Sequence, residues 1–203
     1  MLTTSYGTGE LIRDALERGC RNFIIGIGGS ATNDAGLGML QALGFRFLDK
    51  EGKILETGNG KILMEVVSID TSFVHPDLRT SHFTVACDVQ NPFYGLEGAA
   101  YIFAPQKGAD RKMVEALDAG MKNFAEVIFH TTGKDISNHS GTGAAGGMGG
   151  SLLAFLNAKL KPGIQLMLET LDFSNKIKGA DLIITGEGKA DKQTLMGKVP
   201  SGI

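Results

Sequence analysis

The sequence has 203 residues, of which 42% are hydrophobic and 21% are charged, and its formal net charge is −2. These values are typical of a soluble globular protein with one large domain or two small ones. A weakly negative chain has no electrostatic reason to bind nucleic acid or an anionic membrane, so small molecules are the expected partners, and homo-oligomerisation stays open.

The first residues, "MLTTSYGTGE", lack the basic and apolar regions of a secretion signal, and no apolar run approaches the length of a membrane span. The two cysteines and four histidines show no metal-ligand spacing. We therefore expect a cytoplasmic protein without a zinc site. Glycine is the compositional outlier, with 29 residues concentrated in a few segments, so several loops should need positive φ or close backbone approach.

The first part of the chain predicts a helix, a strand, a glycine-rich loop and a second helix. The first helix should span about 9–18, with Thr8 as its N-cap and Gly19 after its end. A strand over 22–27 leads into "GIGGSATNDAG", which precedes a helix over about 34–43. The segment "FRFLDKEGKIL" then predicts a hairpin that turns at Glu51 and Gly52.

The second part begins with a strand in "SHFTVACDV" and a long loop between Pro92 and Pro105. A helix over about 110–131 should follow, with one apolar face. That face comprises Met113, Leu117, Met121 and Phe124. The segment "SGTGAAGGMGG" precedes another helix, and "ADLIITG" predicts a final strand that runs into a polar loop.

This alternation predicts an α/β fold with three layers, in which a largely parallel sheet carries helices on both faces. Ligands of such sheets bind beyond the carboxyl ends of the strands. The segments "GGSATND", "CDVQNP" and "TGEGKAD" each follow an apolar strand, so they could form one shared site. The alternative that their acidic residues only form turns stays open.

The opening loop also fits a dinucleotide fingerprint, Gly26-x-Gly28-x-x-Ala31, with Asp49 about 20 residues further on. An NAD-dependent dehydrogenase is therefore one alternative. Against it, polar residues separate the glycines from the predicted helix. A dehydrogenase also leaves the segments "GTGAAGGMGG" and "TGEGKAD" unexplained. The P-loop pattern is absent, because Val199 follows Gly197 and Lys198.

A phosphoryl-transfer site accounts for more of the motifs in this sequence. Such a site needs amides or cations to bind phosphates and carboxylates to bind Mg²⁺. Candidate backbone sites are Gly28, Gly29 and Ser30 in the first loop and Gly146 and Gly147 in the second. Candidate carboxylates are Asp34, Asp88, Glu187 and Asp191, and candidate cations are Lys189 and Lys198. The glycines of 141–150 could instead serve close helix packing, and Lys107 could be a phosphate ligand or a surface lysine.

Within "GGSATND" we expect recognition of the anionic end of a substrate. Ser30 and Thr32 would supply hydroxyl donors, and Asn33 is an N-cap candidate. Asp34 has two explanations. It could stabilise the first helical turn by about 0.3–1 kcal/mol through the helix dipole, or it could act in the site through a metal ion or a substrate hydroxyl.

Five segments in order, "GIGGSATNDAGLGMLQALG", "ACDVQNP", "APQKGA", "GAAGGMGG" and "ADLIITGEGKADKQTLMGKVP", resemble the bacterial glycerate kinases of the first type. The resemblance implies a two-domain α/β enzyme that phosphorylates D-glycerate to 2-phosphoglycerate with ATP and Mg²⁺. It maps the family loops onto Gly28, Gly29, Ser30, Asn33 and Asp34, then Asp88, then Glu187, Asp191 and Lys198. The catalytic candidates are Asp34, Asp191 and Lys198, the candidate Mg²⁺ ligands are Glu187 and Asp191, and the identity of the base stays open.

Members of that family are nearly twice as long as this chain. The resemblance therefore implies that residues 1–203 are the central part of a two-domain chain with further segments on both sides. A non-catalytic α/β ligand-binding fragment is the second alternative for the chain by itself.

Overall fold

The computed structural model describes residues 1–186, which form one hydrophobic core around a small parallel sheet. The helices are α1 (Tyr6–Glu17), α2 (Leu37–Ala42), α3 (Ala99–Phe103), α4 (Arg111–Thr132), α5 (Met148–Leu156), α6 (Gly163–Thr170) and α7 (Phe173–Lys176). The strands are β1 (Asn22–Gly26), β2 (Arg46–Leu48), β3 (Ser68–Asp70), β4 (His82–Ala86) and β5 (Lys159–Lys161). Among the described helices, none combines the length and the hydropathy that a membrane crossing requires.

Strands β1, β4 and β5 form a parallel sheet in that order, with β4 in the centre. In β4, Phe83 and Val85 are buried and alternate with the more exposed His82 and Thr84, as the two-residue period of a strand requires. Phe83 stacks on Phe23 of β1 with a centroid distance of 4.7 Å. Helices flank this sheet, so the predicted α/β class is confirmed.

The predicted long helix is confirmed as α4. The side chain of Asp110 accepts a hydrogen bond from the backbone N–H of Met113 at 2.8 Å and caps the helix. Leu117, Met121 and Phe124 are buried as predicted, but Met113 is 37% exposed because it lies in the first turn, beside the cap.

The predicted starts of α1 and α2 were wrong. Helix α1 begins at Tyr6, so Thr8 lies inside it and is not its N-cap. Helix α2 begins at Leu37 after Gly36, which has φ of 76°, so Asn33 is not an N-cap. Both errors have one physical cause, because hydrogen bonds between Ser5 and Asp34 fix the chain before each helix.

Other predicted loops and strands also differ. The turn after Leu48 forms, but with a single antiparallel bridge to Ile54, and β2 pairs instead with β3. The predicted loop between Pro92 and Pro105 contains α3. The predicted strand in "ADLIITG" is absent from the described residues up to 186; Ile184 is 87% exposed, with no strand paired to it.

Asp34 links the segment before α1 to the start of α2. Its side chain is fully buried, and its Oδ2 accepts hydrogen bonds from the backbone N–H and the hydroxyl of Ser5, both at 2.7 Å. The backbone N–H groups of Gly36 and Gly38 also donate to the carboxylate, at 3.1 and 3.3 Å. Burial raises the pKa of the Asp34 carboxyl, while these hydrogen bonds act in the opposite direction.

Ser5 also binds α2 directly, because its hydroxyl accepts a hydrogen bond from the backbone N–H of Met39 at 3.0 Å. Asp34 therefore lies before α2 rather than in its first turn. Its contribution to stability comes from specific buried hydrogen bonds, and the helix-dipole explanation is replaced.

Helices α1 and α2 pack closely at Gly9. A Cβ built on Gly9 would collide with the carbonyl oxygen of Met39 and lie 2.6 Å from the Cβ of Ala42. Gly7, in the same helix, has no atom within 4 Å of such a Cβ. These two glycines of one helix thus differ in whether a neighbouring atom occupies the space of a Cβ.

Gly9→Ala should lower the free energy of unfolding by about 1–3 kcal/mol, because the added methyl group forces the two helices apart. Gly7→Ala, the matched control, should leave stability unchanged or raise it by up to about 1 kcal/mol through helix propensity. Urea unfolding followed by circular dichroism measures both. Equal effects at the two positions would contradict the close packing at Gly9.

Asp34→Asn should lower the free energy of unfolding by about 1.5–3 kcal/mol, the range for hydrogen bonds to charged groups. The amide nitrogen would replace an acceptor and leave a buried N–H group unpaired. Asp14→Asn is the control, because Asp14 is exposed and its ion pair with Arg18 should contribute less than about 1 kcal/mol. A similarly small loss for Asp34→Asn in the same unfolding measurement would contradict the network.

Candidate functional site at the carboxyl ends of the parallel strands

A cavity of about 220 Å³ lies where the loops after β1 and β4 meet. Its position follows from the parallel sheet, because the carboxyl ends of neighbouring strands reach the same edge. The described lining residues are Ile27, Gly28, Gly29, Ser30, Ala86, Cys87, Asp88, Val89, Phe103, Gln106, Lys107, Ala144 and Ala145. The structure thus brings together the first and second of the three predicted loops.

The first loop presents open backbone to this cavity. A Cβ built on Gly28 or Gly29 would meet no atom within 4 Å, so neither glycine is required by packing. Gly29 has φ of 66°, a conformation that favours glycine. The absence of side chains leaves the backbone of this turn open to a bound molecule.

Lys107 supplies a positive charge to the same cavity. Its Nζ donates hydrogen bonds to the hydroxyl oxygen of Ser30 at 2.8 Å and to the carbonyl oxygen of Thr32 at 2.6 Å. The side chain is partly buried, which lowers the pKa of the ammonium, while the Asp34 carboxylate acts in the opposite direction. Of the two alternatives for Lys107, the structure excludes a freely solvated surface lysine.

The sequence leaves Lys107 open between a phosphate ligand and a surface lysine, although it carries a local signal for a fixed position. Pro105 begins the 3₁₀ turn Pro105–Lys107, and Gly108 ends it with φ of 89°. Pro at the start and Gly after the end fix the backbone of a short turn. The pattern "PQKG" therefore holds the lysine at a defined place rather than on a mobile loop.

Thr32 and Asn33 lie beside the cavity rather than in its lining. Asn33 is 7% exposed, and its amide nitrogen donates to the sulfur of Met121 at 3.5 Å. The hydroxyl of Thr32 and the side-chain oxygen of Asn33 are buried and have no hydrogen-bond partner among the described residues. Asp34 is also outside the lining, and its carboxylate oxygens face Ser5, Gly36 and Gly38.

The second glycine-rich segment supports the first loop by packing. Gly146 and Gly147 are buried, with φ of 67° and 93°. A Cβ on Gly146 would collide with the carbonyl oxygen of Thr32, and one on Gly147 would lie 3.0 Å from the Cα of Ala35. Of this segment, Ala144 and Ala145 line the cavity, so the packing explanation accounts for the two buried glycines.

Asp88 lies at the exposed end of β4 and has a structural contact as well as a cavity position. Its Oδ1 accepts a hydrogen bond from the backbone N–H of Gly163 at 2.7 Å, which fixes the start of α6. Asp88 lines both this cavity and a second one of about 260 Å³ that includes His139 and Lys161. A carboxylate in this position can accept hydrogen bonds from a ligand on either side.

The third predicted loop lies outside the described residues, together with Glu187, Lys189, Asp191 and Lys198. Among residues 1–186, no three histidine, cysteine, aspartate or glutamate side chains form a group that could hold a metal ion. The predicted Mg²⁺ ligands Glu187 and Asp191 therefore remain a prediction from the sequence.

The geometry does not favour a dinucleotide site of the Rossmann type. In that site the helix begins within the glycines, whereas α2 begins at Leu37. Asp49 follows β2, which belongs to the antiparallel pair and not to the parallel sheet. The fingerprint at Gly26 and Gly28 thus lacks both the helix start and the acidic residue on the parallel sheet that a dinucleotide site requires.

Comparisons with known proteins match this chain to proteins named glycerate kinases. A glycerate kinase from Haemophilus influenzae is 52% identical over 203 residues, which are 100% of this chain and 53% of that protein. A glycerate 2-kinase from Escherichia coli is 49% identical over the same length, with the same coverage. The crystal structure of a candidate glycerate kinase 2 from Salmonella typhimurium LT2 matches with a TM-score of 0.90 and 49% identity, covering 98% of this chain and 53% of that one.

The chain therefore spans about half the length of the relatives that it matches. The family model described as the glycerate kinase family matches residues 1–203. Since this match covers every residue of the sequence, the chain belongs to the glycerate kinase family.

Proposed function

We propose that this chain is part of an enzyme that transfers a phosphoryl group from ATP, with Mg²⁺, to the 2-hydroxyl of D-glycerate. One observation carries the proposal: in a chain that matches glycerate kinases throughout, a cavity at the carboxyl ends of β1 and β4 combines open glycine backbone with an ammonium group. Phosphoryl transfer depends mainly on positioning and on charge stabilisation, which such groups supply.

The proposed roles follow from the chemistry of each group. Gly28 and Gly29 allow an anionic group to approach the backbone, and the hydroxyl of Ser30 can donate to it. Oδ1 of Asp88 accepts a hydrogen bond from the backbone N–H of Gly163, and Oδ2 can orient a substrate hydroxyl. Asp34 acts by holding the loop, because its own oxygens face other residues.

The remaining roles are proposed from the sequence. Glu187 and Asp191 would hold Mg²⁺, which neutralises phosphate charge when bound, and Lys198 would contribute further positive charge. Thr32 and Asn33 have buried oxygen atoms without partners in the described region, which suit a hydrogen-bonding role once a ligand or water is present. Gly146 and Gly147 would act on nucleotide or substrate only by supporting the loop they contact.

The test is an assay of the longest natural protein that contains this sequence, with D-glycerate, ATP and Mg²⁺. Phosphorus NMR should detect 2-phosphoglycerate, with ADP formed in equal amount and only when D-glycerate is present. Formation of 3-phosphoglycerate would contradict the proposed position of transfer. ADP formation that does not depend on D-glycerate would contradict the proposed substrate.

Two variants show whether this chain carries the activity. Asp191→Asn should lower turnover by roughly 10²-fold or more, in the range of a lost acid–base or metal-positioning group. Asp181→Asn, at an exposed position of the described region, should leave turnover unchanged. Equal turnover in both variants would remove Asp191 from the proposed machinery.

A further inference from the structure

We infer that the cavity between the ends of β1 and β4 receives the carboxylate end of a small hydroxy acid, and that Lys107 with Ser30 recognises that carboxylate. This inference rests on the proposed function and deepens it, because it assigns this cavity to the acid rather than to the nucleotide. The ligand chemistry is an anionic oxygen group, which either a glycerate carboxylate or a nucleotide phosphate could supply.

The first support is the hydrogen bonding of Lys107. An ammonium group has three N–H donors, and two are used by Ser30 and Thr32 within the described residues. Within residues 1–186 the third donor has no acceptor, so it can be donated to a ligand. Since the Ser30 oxygen accepts from Lys107, its own hydroxyl hydrogen can be donated elsewhere. Lys107 Nζ and Ser30 Oγ, 2.8 Å apart, can therefore each donate to one oxygen of a carboxylate.

The second support is that the lysine is held in place before a ligand arrives. In the turn Pro105–Lys107, the backbone N–H of Lys107 donates to the carbonyl oxygen of Ala104 at 3.0 Å, and Gly108 follows the end of the turn. Its two side-chain hydrogen bonds fix the ammonium further. Binding then costs little additional side-chain entropy, which favours recognition of a small ligand.

The third support is charge. Among the described residues that line the cavity, Lys107 is the cation and Asp88 is the carboxylate. A partly buried ammonium gains from an anion beside it, because burial disfavours its charge. Asp88 is suited to the other end of the ligand, where it can accept from hydroxyl groups and would repel a second negative charge.

The fourth support is size. Ligand pockets for drug-sized molecules measure roughly 300–1,000 Å³. The cavity measures about 220 Å³, which is enough space for a three-carbon acid. Recognition of the acid by Lys107 and Ser30 therefore agrees with both the charge and the volume of the cavity.

Steady-state kinetics of Lys107→Met, in the longest natural protein that contains this sequence, separate the two sources of the anion. The KM for D-glycerate should rise by about tenfold to a hundredfold, as expected for one charge-assisted hydrogen bond, while the KM for ATP changes little. Lys107→Arg should recover part of the loss because it keeps the charge. Lys112→Met, at an exposed position of α4, is the matched control and should behave as the unmodified protein.

A rise in the KM for ATP with an unchanged KM for D-glycerate would overturn the inference and assign Lys107 to nucleotide phosphate. Calorimetric binding of D-glycerate and of glycerol, which lacks the carboxylate, tests the inference without turnover. Binding of D-glycerate but not glycerol, lost in Lys107→Met and retained in Lys107→Arg, supports the inference even if no phosphoryl transfer occurs. Phosphoryl transfer with a glycerate KM unaffected by Lys107→Met leaves the proposed function intact and refutes the inference.

Discussion

The site depends on one close contact between two backbone segments, the loop after β1 and the glycine-rich segment before α5. The backbone N–H of Ala35 donates to the carbonyl oxygen of Gly146 at 2.9 Å, and the hydroxyl of Ser151 donates to the carbonyl oxygen of Ala35. Only a residue without a Cβ fits at position 146, because the carbonyl oxygen of Thr32 occupies that space. This contact fixes the path of residues 32–35, and hence the place of the turn that precedes them.

Two charged side chains hold the same loop from its two ends. Asp34 is buried and binds the segment before α1, while Lys107 reaches from the turn after α3 to Ser30 and the carbonyl oxygen of Thr32. Between them the chain is bound at almost every residue, whereas Gly28 and Gly29 face open space. The result is a hydrogen-bonded support with an open backbone turn at its edge, and such a supported turn is suited to binding a small anion.

Much of the fold could be predicted from the sequence, because its signals are local. The apolar periods of β4 and α4, and the glycines before α5, each indicate an element by themselves. The buried position of Asp34 could not be predicted, because its partner Ser5 lies 29 residues away. The local sequence is equally compatible with a role for Asp34 at the start of a helix. The role of Lys107 could not be predicted for the same reason, since only the folded chain brings its Nζ within 2.8 Å of Ser30 Oγ, 77 residues away.

If the open turn at Gly28, Gly29 and Ser30, with Lys107 beside it, is arranged to bind an anion, D-glycerate should bind there. The most direct measurement is an NMR titration of the isotope-labelled protein with D-glycerate, observed through the backbone amide signals. The largest shifts should fall on residues 28–30, 88 and 106–107, with α4 unaffected beyond its first turn. Shifts confined to another surface, such as the groove between α6 and α7 lined by Gln165, Glu169 and Ser174, would contradict it.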